Sequence, residues 1–238
     1  MCGRFAFTLP DQAMAQLFAA TPGNDLPSAP DFNVCPTAQI VTVVGGGTGA
    51  GEAAEEGQSV GEAPRRLVAM RWGFVPHWYK TPGDGPLLIN ARAETIAEKP
   101  AFRAACRARR CLIPVTGFYE WERHDRLRLP WFAQRSDDTP LVMAGIWQDW
   151  EGPEGPMTTC AIVTTQAEGE IAAIHHRMPV ILDPRDWPLW LGEAGHGAAR
   201  LMRPAPGGTL RLYRVDRAVN SNRAAGPELI EPLEPEAP

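Results

Sequence analysis

Residues 110–121 read RCLIPVTGFYEW, and this stretch decides the fold. Two runs rich in branched and aromatic residues, 111–115 and 118–123, flank a Thr-Gly pair, which predicts two consecutive short strands. The same pattern repeats downstream at 131–134, 141–150 and 158–165, punctuated by Gly and Pro turns. Upstream, 40–44 and 66–74 are further strand candidates, expected to pair as a hairpin around an insertion. That insertion, GGGTGAGEAAEEGQSVGEAP at 45–64, has no hydrophobic period and reads as a flexible loop. Helical signals are short and lie between the strands, at 10–20, 101–109, 171–176 and 184–191. Residues 21–38, rich in Pro, Asn and Asp, read as a loop. The sum is an α+β fold: one domain over 1–230, on a curved, mostly antiparallel sheet or open barrel with short peripheral helices. The Pro/Glu-rich 231–238 is expected to be a disordered tail.

The chain has 238 residues, 44% hydrophobic and 21% charged, which is ordinary globular composition with enough length to bury a substantial core. No apolar run approaches the ~18 residues that would suggest a membrane span, and the N-terminus lacks a secretory pattern. The five cysteines (Cys2, Cys35, Cys106, Cys111, Cys160) form no CxxC pair and have no histidine cluster beside them. Neither a structural metal nor a disulfide framework is expected, and the chain reads as a reduced, intracellular protein without membrane association. A net charge of −5 argues against a protein that coats nucleic acid nonspecifically, so any basic groove must be local.

Four polar stretches sit in hydrophobic surroundings. The first is Cys2-Gly3-Arg4. A cysteine directly after the start methionine would, once Met1 is removed, carry a free α-amine and a thiol on adjacent carbons. The second is LLINARAET, with Asn90, Arg92 and Glu94; the Asn90 amide both donates and accepts, and Arg92 would suit a phosphate. The third is GFYEW. There Glu120 points away from Tyr119 and Trp121 in a strand, either to solvent or into a pocket where desolvation would raise its pKa and suit it to proton transfer. The fourth is AAIHHRMPVIL. Either His175 or His176 suits chemistry near neutral pH, and the following Met178-Pro179 forces extended chain.

Taken in order, MCGRF (1–5), FNVCPT (32–37), RWGFVPHW (71–78), INARAET (89–95), RCLIPVTGFYEW (110–121), AIHHRMPVIL (173–182) and VDRAVNSNRAAGPELIEP (215–232) resemble the blocks of the SRAP family, the SOS-response-associated peptidase-like proteins. The departures are small: Cys35 stands where a small residue is usual, His176 where an acidic or polar one is common, and the 45–64 loop is expanded. The resemblance implies a DNA-damage sensor that binds single-stranded DNA and traps abasic sites. It implies that Cys2 becomes N-terminal and works with Asn90, Glu120 and His175. Its amine would form a Schiff base with the abasic aldehyde, and its thiol would close a thiazolidine ring, a covalent strategy. Arg4 and Arg92 are then expected at phosphates, and Trp72, Pro76 and Trp78 as a wedge or stacking surface. No cofactor or metal is implied. The partner is single-stranded DNA containing abasic sites, the chain a monomer, and its place a bacterial-type cytoplasm, on the nucleoid when bound to DNA.

Three rivals remain. An N-terminal-nucleophile amidohydrolase also opens Met-Cys-Gly, but its glutamine-pocket motifs are not visible. A thiol peptidase, self-processing included, is compatible with a Cys-His-Glu set; hydrolase or lyase chemistry would then replace the crosslink. A noncatalytic single-strand binder would not need Cys2.

Overall fold

The computed structural model describes residues 2–46, 64–124, 127–153 and 155–233. In chain order these form β1 (Phe5–Phe7), α1 (Asp11–Phe18), β2 (Ala20–Pro22), β3 (Asp31–Val34), β4 (Gln39–Val44), β5 (Arg65–Trp72), β6 (Asn90–Arg92) and α2 (Pro100–Ala108). Then follow β7 (Arg110–Val115), β8 (Gly117–His124), β9 (Leu127–Arg135), β10 (Leu141–Gly152), β11 (Gly155–Gln166), β12 (Arg177–Pro179), α3 (Trp187–Leu191) and β13 (Leu210–Arg214). Short 3₁₀ turns fill several connections.

Five strands close on themselves in the order β11-β10-β7-β4-β5, with a parallel β11–β5 contact at Thr159↔Arg71 and Cys160↔Trp72 completing the ring. Closure leaves these central strands without a free edge. The expected hairpin around the insertion is present, with β4 and β5 antiparallel from Gln39↔Arg71 to Val44↔Arg66. The insertion itself, apart from its flanks at 45, 46 and 64, lies outside the described residues, as does 234–238 of the expected tail.

The two strands of the 110–121 stretch belong to different sheets. β7 stays in the barrel, while β8 joins a five-stranded sheet ordered β13-β9-β8-β1-β3. The switch occurs at Thr116-Gly117, where a β-carbon on Gly117 would sit 2.5 Å from the Phe132 ring and 2.6 Å from the Ala133 carbonyl, so only glycine fits. The main core fills the barrel with Val43, Leu67, Ile113, Ile146, Trp147 and Ile162 among others. A smaller cluster under the second sheet gathers Tyr119, Phe132, Val215, Val219 and Leu229.

Two expectations are corrected. Residues 21–38 are not wholly loop: β3 lies within them, held by β1 through Phe5↔Val34 and Phe7↔Asp31. The helix expected over 171–176 is a 3₁₀ turn, Gly169–Ala173, that ends before the histidines, because Arg177 enters β12 beside Gln166. Among the described residues no helix is long and apolar enough to cross a membrane.

Candidate active site

Strand β1 carries the N-terminal residues into the centre of the molecule. It runs antiparallel to β8 at Phe5↔Phe118 and Ala6↔Gly117, and the Tyr119 N–H donates to the Arg4 carbonyl at 3.0 Å. Continuing that register brings Cys2 and Gly3 alongside Glu120 and Trp121. Cys2 is fully buried and belongs to the main core. Burial pushes its thiol well above the ordinary range, and the negative charge of Glu120 adds to the shift. The thiol is therefore protonated at neutral pH and protected from oxidation.

Glu120 is 3% exposed. The alternation of β8 explains this: Tyr119 and Trp121 pack with the smaller cluster, whereas Phe118 faces the main core, and Glu120 shares Phe118's side. Burial raises the Glu120 carboxyl, partly countered by a hydrogen bond from the Trp121 backbone and, to a smaller degree, by His176. A carboxyl moved toward neutrality in this way can take and return a proton.

Asn90 reaches the same place from the barrel. Strand β6 lies parallel to β11, with Ile162↔Asn90 and Thr164↔Arg92. The Asn90 Nδ2 group donates to the Cys2 carbonyl at 2.9 Å. Its Oδ1 is buried with no hydrogen-bond partner among the described residues, an acceptor left open for an incoming donor.

His175 follows the 3₁₀ turn on the other edge of β11. The Arg177 N–H faces His175 Nδ1 at 3.0 Å and the Arg177 carbonyl lies 3.1 Å from the same atom, so the Arg177 main chain holds the ring, with Nδ1 accepting from the one or donating to the other according to the tautomer. Burial lowers its pKa, and the charges of Arg123 and Arg177 act in the same direction, so the ring is neutral at pH 7. The exposed His176 stacks on it at 4.4 Å between centroids.

Asn90 also lines a groove of about 540 Å³, with Pro76, Trp78, Tyr79, Leu88, Arg92 and Phe102 among its walls. Trp78 is 49% exposed there, and Pro76 and Arg92 join it as expected. Trp72 does not: it is fully buried, packs tilted against Phe5 with ring centroids 5.0 Å apart, and donates through Nε1 to the Ile89 carbonyl. It presents no face to a base and supports β1 from beneath. Arg4 is likewise occupied internally. Its guanidinium donates to Asn33 Oδ1 at 2.7 Å, the Val219 carbonyl at 2.9 Å and Asn222 Oδ1 at 2.5 Å, and lies over the Trp121 ring. Arg92 is exposed and makes no side-chain hydrogen bond among the described residues. Lys99, Tyr79 and Phe102 complete the groove without having been singled out; only the aromatic run around Trp78 hinted at Tyr79.

Residues 1–222 match the family described as SOS response associated peptidase (SRAP). This chain belongs to the SRAP family. Among curated SRAP relatives, the abasic site processing protein YoqW of Bacillus subtilis is 35% identical, the match covering 97% of this chain and 99% of that one. The abasic site processing protein HMCES of Gallus gallus is 31% identical over 74% of this chain and 60% of its own. The fold is shared with a crystal structure from Bacteroides thetaiotaomicron, with a TM-score of 0.80 at 21% identity, covering 98% of this chain and all of that one.

Proposed function

We propose that this protein processes abasic sites in DNA by trapping them covalently on Cys2 after Met1 is removed. The observation that carries the reading is the Asn90 hydrogen bond to the Cys2 carbonyl, which ties the reactive residue to the wall of the groove. The names of the relatives, abasic site processing proteins, support the substrate class.

The chemistry starts with opening of the abasic deoxyribose ring. His175, with its proton on Nε2, donates that proton to the ring oxygen as the C1′–O4′ bond breaks, water takes the proton of the C1′ hydroxyl, and the C1′ aldehyde is exposed. The α-amine of Cys2 then adds to C1′. Glu120 carries two protons in turn from the nitrogen to the C1′ oxygen, the first giving the carbinolamine and the second releasing that oxygen as water to leave an imine. The Cys2 sulfur adds to the imine carbon, and its proton ends on the nitrogen. Aldehyde plus aminothiol thus give thiazolidine plus one water, with no oxidant or cofactor. Asn90 fixes the Cys2 backbone so that amine and thiol reach the same carbon. A protonated, buried thiol fits addition to an imine better than the thiolate attack of a peptidase.

The groove accepts the unpaired strand, with Arg92 and Lys99 at phosphates and Trp78 under a base. The test is a denaturing gel of the protein with a single-stranded oligonucleotide carrying one abasic site. A heat-stable shifted band is expected, absent from Cys2→Ala and from a form that retains Met1. No band from protein whose intact mass shows Met1 gone would sink the crosslinking reading, and peptidase or plain DNA binding would replace it.

A further inference from the structure

Arg177 is buried beside the site, and both terminal nitrogens of its guanidinium are engaged on one flank. It grips Glu94 through both oxygens, at 2.7 and 2.9 Å. The same guanidinium donates to the Thr164 carbonyl at 2.7 Å. That carbonyl also accepts the Ala93 N–H at 2.8 Å, at the end of β6. Thr164 thus serves both edges of β11, and Glu94 sits four residues beyond Asn90. Meanwhile the Arg177 backbone holds the His175 ring: its N–H faces Nδ1, and its carbonyl lies 3.1 Å from the same atom. One residue therefore joins the Asn90 strand, by its side chain, to His175, by its main chain.

We propose that Glu94 and Arg177 are a positioning pair that fixes the His175 ring in its Nε2–H tautomer and holds it in register with Asn90. The role in the reaction rests on the function proposed above; the tautomer does not. Glu94 is half exposed while Arg177 is buried, so a surface carboxylate orients a buried fork that in turn orders the loop. The bidentate geometry sets the rotation of the guanidinium as well as its position. Without it, the turn between β11 and β12 keeps its backbone pairing at Thr165↔Met178 but loses the side-chain tie that places the Arg177 N–H under the ring.

The decisive measurement is long-range 1H–15N NMR on protein with 15N-labelled histidine, His175 being assigned by its loss in His175→Gln. The wild type is expected to show a protonated Nε2 and an unprotonated, accepting Nδ1 above the titration. Glu94→Gln, isosteric and half exposed, is expected to fold and to show a mixture of both tautomers. Its covalent trapping should slow about 10-fold, while affinity for an intact single strand changes less than about 2-fold. Glu94→Asp, which keeps the charge one methylene short, should recover part of the tautomer bias, and carries the test if Glu94→Gln does not fold. An unchanged tautomer in the folded variants overturns the proposal, even if trapping slows. A scrambled tautomer upholds the positioning pair whether or not the wild type traps DNA, so its failure and that of the crosslinking reading are told apart.

Discussion

The Asn90 side chain donates to the main-chain carbonyl of Cys2 at 2.9 Å, across 88 positions of sequence. It holds the Cys2 backbone rather than its thiol, and in the proposed reaction this leaves the nitrogen and the sulfur available once Met1 is removed. Asn90→Ala removes the donor and leaves the Cys2 carbonyl unsatisfied. A stability loss of about 1–3 kcal/mol, the cost of a buried acceptor left unsatisfied, is expected in urea melts. Trapping should slow by about 10–100-fold, because a small misplacement of the attacking atoms is expensive. Asn90→Asp should be slower still, since a carboxylate would face the carbonyl oxygen. Intact-mass kinetics with an abasic oligonucleotide check both.

Glu120→Gln separates catalysis from stability. If Glu120 carries protons as proposed, its loss should slow trapping by about 10²–10⁴-fold. Stability should move the other way. Burial raises the Glu120 pKa in the folded protein, so between the unfolded and folded values the native state binds more protons than the unfolded one. Stability then falls as pH rises through that window, and the loss persists at neutral pH. The neutral isostere escapes it, so Glu120→Gln should melt higher than the wild type at pH 7 and no higher at pH 4. Thermal melts at the two pH values decide this; a uniform loss would mean that Glu120 is a structural anchor.

The barrel strands were legible because β4, β5, β7, β10 and β11 are long and densely apolar or aromatic. What sequence could not show was that β7 and β8 part company at Gly117, since both read alike. Strands β1, β3 and β6 span three or four residues each, too few for a period, and exist only through partners far along the chain. In the site, Cys2, Asn90, Glu120 and His175 stood out by residue type, but their grouping came from the family resemblance. Trp72 and Arg4 show the limit. Residue type does not reveal that one tryptophan of RWGFVPHW points into the barrel and the other into the groove. Nor does it reveal that Arg4 finds acceptors at Val219 and Asn222 near the far end of the chain.

The two tryptophans should therefore respond oppositely. Trp78→Ala removes an exposed groove wall, and affinity for single-stranded DNA should drop by about 1–3 kcal/mol with the melting temperature nearly unchanged. Trp72→Ala empties a fully buried site and should cost about 3–5 kcal/mol of stability. Fluorescence anisotropy and urea melts on both variants give the comparison. Equal losses of binding without loss of stability would place Trp72 at the DNA.

Arg4 and Arg92 are both cations close in sequence to the proposed site residues, and their surroundings differ. Arg4 donates to three oxygens and clamps the C-terminal segment against β1. Arg4→Ala should destabilise by about 3 kcal/mol, since hydrogen bonds from charged donors are the stronger ones. It should also slow trapping, because Cys2 is two residues away in the segment that leads into β1. The salt dependence of DNA binding should not change. Arg92 is exposed on the groove, so Arg92→Ala should leave stability alone and flatten the plot of log affinity against log salt by about 0.7, the share of one single-strand phosphate. Anisotropy titrations from low to moderate salt distinguish the two. A flattened slope in Arg4→Ala would mean that the clamp opens and the guanidinium reaches DNA.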